Sequence, residues 1–378
     1  MKLKVNRKKF IEELRIGSMA VAKGKTNIPV LLYTRIQIEG NKLYRLFSSD
    51  SSQTINYTGI VENIVDYSSE YSDFMIDAKE FIAILSSIKD EYVCLEILTS
   101  KNCVILHDKG QITLPVYPVD KYTPVMDIKD NSNNYLRIET EQELSLFANK
   151  LKRACDFTGS DAYRPVLNGV YINAHDGLFD IAATNSFIMY SDSINCSENF
   201  SFDAIIPSLM VNNIVSLLSL GSDVRITLES GKLVMLFANN IKYSCSVIDG
   251  KYPAYKSVIP KDIKIRVEVD KEELKEAVKR QVYTTDYTNK CILRTQEIRS
   301  SLEIESSNTD TGKENHEIIP ASVKDQMDFS IAIKTEYLLT GIDCVENSSI
   351  TLQFTEINKP VLIQENTMSI VIMPLSLN

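Results

Sequence analysis

The sequence predicts an α+β protein made of three tandem copies of one domain, each with two helices laid on antiparallel sheet. Three observations carry that reading. A strand–cap–helix unit occurs three times, with its cap positions at 6, 140 and 270, which are 134 and 130 residues apart. A second helix and a strand pair follow each copy in step. The strands alternate apolar and polar residues, the period of a half-buried strand. A repeat of this length means tandem domains, not a short-period solenoid. The domains are expected at 1–130, 131–261 and 262–378.

In the first copy, Leu3 and Val5 lead to Asn6 and a helix carrying Phe10 and Leu14. Phe74, Met75 and Ile76 then run into a helix with Phe81, Ile82, Leu85 and Ile88, followed by strands around Val93 and Val104. In the second, Leu136 and Ile138 lead to Thr140, with Glu143 at the capping-box position and Leu144 and Ala148 on the apolar face. Its later helix carries Val211, Ile214, Val215 and Leu218 and stops at Gly221, and strands follow from Val224 and Leu233.

The third copy is the clearest. Ile263, Ile265, Val267 and Val269 alternate with Lys264, Arg266, Glu268 and Asp270. Asp270 caps a helix, Glu273 completes a box pattern, and Leu274, Ala277, Val278 and Val282 recur at helical spacing. A helix with Leu338, Leu339 and Ile342 and strands from Ile350 and Val361 complete it. Prolines 118, 124, 253 and 260 mark the connections 117–134 and 249–262. The polar stretch 305–328 is expected to be an exposed connection between strands.

Composition narrows the class. A hydrophobic content of 44% and a charged content of 24% are those of a soluble globular protein. No apolar run is long enough for a membrane helix, and the first residues enter the repeat directly with no apolar signal core. A cytoplasmic protein with no membrane partner is expected. Seven cysteines without a CxxC pair are expected to be reduced thiols. Three histidines without metal spacing give no metal site. Phosphate-loop, dinucleotide, zinc-protease and nucleophile-elbow motifs are absent, so neither a catalytic residue nor a cofactor is assigned. The net charge of −9 argues against nucleic acid when taken alone. The helices after the three caps nonetheless each carry more basic than acidic residues, which gains meaning if they face one common partner.

Four segments carry a family resemblance. They are Arg164-Pro165-Val166-Leu167-Asn168-Gly169-Val170, the run 250–260 (GKYPAYKSVIP), the tail 371–377 (VIMPLSL) and the loop 25–31 (KTNIPVL). In register on a triplicated chain, they resemble the bacterial DNA sliding clamp, the beta subunit of DNA polymerase III. The resemblance implies a head-to-tail homodimer closed into a six-domain ring, with helices lining a hole through which duplex DNA passes. It implies sequence-independent contacts to phosphates, weak enough for sliding. The implied partners are double-stranded DNA, a second copy of the chain, the replicative polymerase catalytic subunit, an ATP-dependent clamp loader and other proteins bearing a clamp-binding peptide. A clamp-like scaffold that retains DNA weakly is the alternative.

Carried over residue by residue, the resemblance implies DNA contacts at Lys25, Lys79, Lys150, Arg153, Arg164, Lys275 and Lys279. It implies a partner-peptide groove formed by Leu167, Thr184, Phe187, Met189, Pro253, Val258, Val371, Met373, Pro374 and Leu375. Subunit contacts fall on Ile112 and Leu114, opposed by Tyr283 and Thr284. The chain departs from the family at Thr184-Asn185-Ser186-Phe187-Ile188-Met189, where many clamps read Thr-Asp-Gly-His-Arg-Leu. The groove wall is therefore expected to be more apolar than in those relatives. Residues 207–209 (PSL) lack the basic residues that often follow the proline in the family, which weakens one expected DNA contact.

Overall fold

A computed structural model describes residues 1–378 except 41–42, 62, 100, 120–134, 196–200, 222, 296–299, 325–328, 357 and 378. The connection 117–134 therefore lies almost wholly outside the described residues, as does Cys196. The chain forms two compact units, one of residues 1–148 and 198–247, the other of 149–197 and 248–378. The central repeat is thus divided between them.

In the first unit, α1 (Arg7–Gly17) and α2 (Ala78–Ser87) pack together with two antiparallel sheets. α3 (Glu141–Cys155) begins here and α4 (Ser208–Leu218) lies wholly here. One sheet runs Asn63–Asp66, Lys2–Asn6, Tyr92–Thr99, Asn102–His107, Gly110–Pro115. The other has eight strands, and at its centre the second repeat's Ile241–Ser246 pairs with the first repeat's Gln53–Ile60. Backbone hydrogen bonds thus join one repeat to the next, which explains why contacts do not separate at the repeat boundaries.

The cap reading holds. Asn6 Oδ1 accepts from Lys9 N, and Asp77 Oδ1 accepts from Glu80 N. At α3 the capping box closes in both directions: Thr140 Oγ1 accepts from Glu143 N at 3.2 Å, and Glu143 Oε2 accepts from Thr140 N at 3.3 Å. The core beneath α1 and α2 contains Phe10, Leu14, Phe81, Leu85 and strand residues such as Leu46 and Ile105. One carboxylate sits inside it. Glu13 is buried and accepts from the phenols of Tyr44 and Tyr57, the latter at 2.7 Å. Burial, reinforced by the carboxylate, pushes both phenols well above their ordinary range, so they remain donors.

In the second unit, antiparallel pairs run without a break from Gly169–His175 through Leu178–Thr184 and Ile188–Asn195 to Met368–Ile372, and on through the third repeat. Here again a second-repeat strand meets a third-repeat strand: Ile188, Met189, Tyr190 and Ser191 pair with Ile372, Val371, Ile370 and Ser369. α5 (Lys271–Gln281) and α6 (Thr335–Cys344) pack together, and Asp270 Oδ1 caps α5 by accepting from Glu273 N.

Two details differ from expectation. Val282 lies past the end of α5 and is exposed, while Gln281 takes the buried position, its amide donating to Ile304 O and its oxygen accepting from Ser306 Oγ. A polar side chain can sit there because the neighbouring strand supplies partners. The stretch expected as a connection at 305–328 is largely strand: Ser301–Asn308 pairs with Lys313–Pro320 about a short turn. Its polar residues alternate toward solvent on one face, a pattern shared by surface strands and loops. Residues 325–328 lie outside the described residues.

The cysteines among the described residues are free thiols. Burial pushes Cys103, Cys245, Cys291 and Cys344 up to about 12, so they are unreactive core residues.

Candidate partner groove and phosphate-facing helices

A groove of about 390 Å³ opens on the second unit. Its floor is Leu167, Met189 and Val371, all nearly inaccessible, and its rim is Phe187, Val258 and Met373, each at least 40% exposed. Thr184 and Pro253 complete the set expected from sequence. Pro374 and Leu375 are not lining residues; Leu375 N donates to Ala332 O at 2.8 Å, so the tail follows a strand away from the groove.

Local chemistry shapes the walls. Thr184 Oγ1 donates to Ile188 O, while Asn185 Oδ1 accepts from the amides of Phe187 and Ile188 at 3.0 Å each. This side-chain cage holds the hairpin turn, with Ser186 in the left-handed region at φ 81°. Phe187 is thrown outward and stacks on Tyr337 at 6.3 Å between ring centroids. Met373 N donates to Phe187 O at 2.8 Å, tying the chain's last strand to the turn.

The opposite wall is the segment Pro253–Val258. Tyr252 stacks on Tyr171 at 4.7 Å and 7°. Lys256 Nζ and His175 Nε2 lie 2.5 and 2.9 Å from the buried carboxylate of Asp180. Burial pushes that carboxyl up, but the bonds and charges of His175 and Lys256 outweigh it and hold it below its ordinary range. The segment's tyrosines and lysine thus anchor it, leaving Pro253, Ala254 and Val258 toward the groove.

Sequence reasoning missed Val166, Ser186, Ile188, Ala254, Tyr255 and Ser257 as lining residues. Ser186 and Ile188 lie between residues that were assigned to the groove, while Ala254, Tyr255 and Ser257 depend on the fold of 249–258 and Val166 on the turn Pro165–Asn168. Arg164, expected on DNA, lines the groove. Its guanidinium donates to Asp161 Oδ2 at 2.7 Å and to Ser186 Oγ at 2.9 Å, and it holds the Asp161 carboxyl below its ordinary range.

The remaining expected DNA contacts divide sharply. Lys25 and Lys79 are exposed. Lys150 is not a surface cation: it is buried, with Nζ 2.6 Å from Asp192 Oδ1. Its place on the inner face of α3 follows from the helical spacing of Phe147, Lys150, Leu151 and Ala154. Arg153 pairs with Glu346 at 2.6 Å, Lys275 with Asp343 at 2.7 Å and Lys279 with Glu276 at 2.8 Å. Of the expected subunit contacts, Tyr283 is 77% exposed, while Thr284 bonds Ser306 and Gln281 O. Leu114 is buried in the first unit's core with Ile112 packed against it.

No helix among the described residues is long and apolar enough to cross a membrane. A triplicated α+β chain with an apolar peptide-sized groove and exposed cations on capped helices defines a clamp-type binding protein. Three family models match in order: the N-terminal domain of the DNA polymerase III beta subunit at residues 1–127, its central domain at 145–254 and its C-terminal domain at 256–376. The chain belongs to the DNA polymerase III beta subunit family, the sliding clamps, whose members are processivity factors and not enzymes. The Bacillus subtilis beta sliding clamp is 22% identical over 374 residues, 96% of each chain, and that of Haemophilus influenzae is 23% identical over the full length of both. Sliding-clamp crystal structures from Pseudomonas aeruginosa and Bacillus subtilis superpose with TM-scores of 0.89 and 0.87, at 17% and 21% identity, covering both chains completely.

Proposed function

We propose that two copies close head to tail into a ring of six clamp domains, bounded near 1–130, 131–261 and 262–378 in each copy, around duplex DNA. The single observation that carries this is a pattern of strand edges. Twice within the chain, one repeat joins the next by antiparallel pairing, at 53–57 with 241–245 and at 188–191 with 369–372. The equivalent strands left over are Gly110–Pro115 and the 313–320 part of Lys313–Lys324. Among the described residues, each pairs on one side only. An exposed edge is a template for another chain, and a second copy supplies the complementary one. Tyr283 and the half-exposed Ile318 flank this junction in the proposal.

The groove receives a short linear segment of the replicative polymerase and of other partners. Its floor is apolar, and its rim offers Phe187 stacked on Tyr337 for an aromatic or aliphatic anchor. The ring is opened by a separate ATP-dependent loader and acts in the cytoplasm. A scaffold that holds DNA weakly is the second reading, favoured by the ion pairs that occupy Arg153, Lys275 and Lys279. Sedimentation tests the ring: a species of twice the 42.7 kDa chain mass is expected, and a monomer at micromolar concentration overturns it.

A further inference from the structure

We propose that the grip on DNA phosphates is concentrated on α1 of the N-terminal repeat, at Lys8, Lys9 and Arg15, while the lining helices of the other two repeats, Lys152 apart, have their cations engaged within the chain. This rests on the ring reading above, which turns these helices toward the hole.

The distinction lies in how each cation is engaged. Lys8, Lys9 and Arg15 are exposed, and among the described residues their side chains make no ion pair or hydrogen bond. Only Glu12 opposes them on the exposed side of α1, because Glu13 is buried with its two tyrosines. Positions 8, 12 and 15 share one helical face, with 9 beside them. Arg7 is otherwise occupied, donating to Asp90 O at 2.7 Å and Leu85 O at 3.2 Å at the end of α2.

The other helices differ in kind. α4 contains no charged residue. On α3, Lys150 is buried against Asp192 and Arg153 is held by Glu346, which leaves Lys152 as that helix's one exposed cation without an ion pair among the described residues. α5 and α6 together carry four basic against five acidic residues. Of those four, Lys275, Lys279 and Arg280 pair with Asp343, Glu276 and Glu317, and Lys271 Nζ donates to Val345 O. A phosphate approaching a paired cation must displace or tolerate the neighbouring carboxylate, which removes most of the gain. An unpaired exposed cation releases condensed counterions without that loss. Each ring would therefore hold DNA mainly at two symmetry-related patches, with only scattered single cations such as Lys79 and Lys152 elsewhere on the helices, which suits sliding.

The test compares the full-length ring with two variants, using a short blunt duplex across a salt series and a nicked circular plasmid loaded at low salt. Lys8→Ala, Lys9→Ala and Arg15→Ala together are expected to weaken duplex binding at least tenfold and to flatten the log–log salt slope by roughly 3 per engaged patch. Lys275→Ala with Asp343→Ala, which removes both members of one ion pair, is expected to stay within twofold of the unaltered ring. Equal losses in both variants, or none in the first, overturn the proposal while retention on the plasmid leaves the ring reading standing. An unaltered protein that is not retained on the plasmid overturns both.

Discussion

Lys150 Nζ lies 2.6 Å from Asp192 Oδ1 with both side chains buried. Asp192 also accepts from Tyr190 OH, Thr367 Oγ1 and Ser193 N, so the ammonium, the strand Ile188–Asn195 and the turn before Met368–Ile372 share one carboxylate. Asp192→Ala would leave the ammonium buried without its partner, and a loss of about 3–5 kcal/mol in unfolding free energy is expected from chemical denaturation. DNA affinity of the still-folded fraction should be unchanged, which separates this lysine from a phosphate contact.

Phe187 presents an exposed ring on the groove rim, stacked on Tyr337. Phe187→Ala should weaken a polymerase-derived clamp-binding peptide by about tenfold, near 1.4 kcal/mol, in fluorescence anisotropy. The melting temperature should hardly move, because the side chain is outside the core. An unchanged affinity would place the anchor elsewhere in the groove.

Ile318 is half exposed on the strand edge proposed for ring closure. Ile318→Asp should raise the dimer dissociation constant by tenfold or more, about 1.4 kcal/mol, as read by analytical ultracentrifugation. Thermal stability of the separated chain should be preserved.

Much of this fold was legible in the sequence, and the reason is the repetition itself. Asn6, Thr140 and Asp270 announce three helices because each cap bond is local. Leu167, Met189, Val371 and Met373 were found as groove residues only through family resemblance, since an apolar residue beside a groove has the same local pattern as one in a core. Lys150, Arg153 and Lys275 show the limit in the other direction. Their partners Asp192, Glu346 and Asp343 are distant in sequence, so neutralisation of a helix cation is invisible to a charge count along the helix. The position of Gln281 was hidden for the same reason, because its partners Ile304 and Ser306 arrive from another strand.

The carboxyl of Asp180 anchors the groove wall through Lys256 and His175 and is held below its ordinary range in the folded protein. A depressed folded value contributes stability that is fully present above the unfolded value, roughly pH 4, and is lost as pH falls through the folded value. Melting temperature should therefore drop as the solution is acidified below about pH 4, and Asp180→Asn should remove this part of the dependence while lowering stability near neutrality. A parallel acid profile in the variant would contradict the assignment.

Gly250 adopts φ +131°, and a Cβ there would lie 2.7 Å from Val166 Cγ1 on the groove lining. Gly250→Ala should cost about 1–3 kcal/mol through backbone strain and weaken peptide binding by displacing Val166, both measurable on one purified variant by denaturation and anisotropy.

Topological retention tests the central claim most directly. Loaded on a nicked circular plasmid and passed through a sizing column at about the physiological ionic strength, where surface electrostatics are substantially screened, the protein should elute with the circle. It should be released once the plasmid is cut at a single site. Equal dissociation from circular and linear DNA would contradict a closed ring around the duplex.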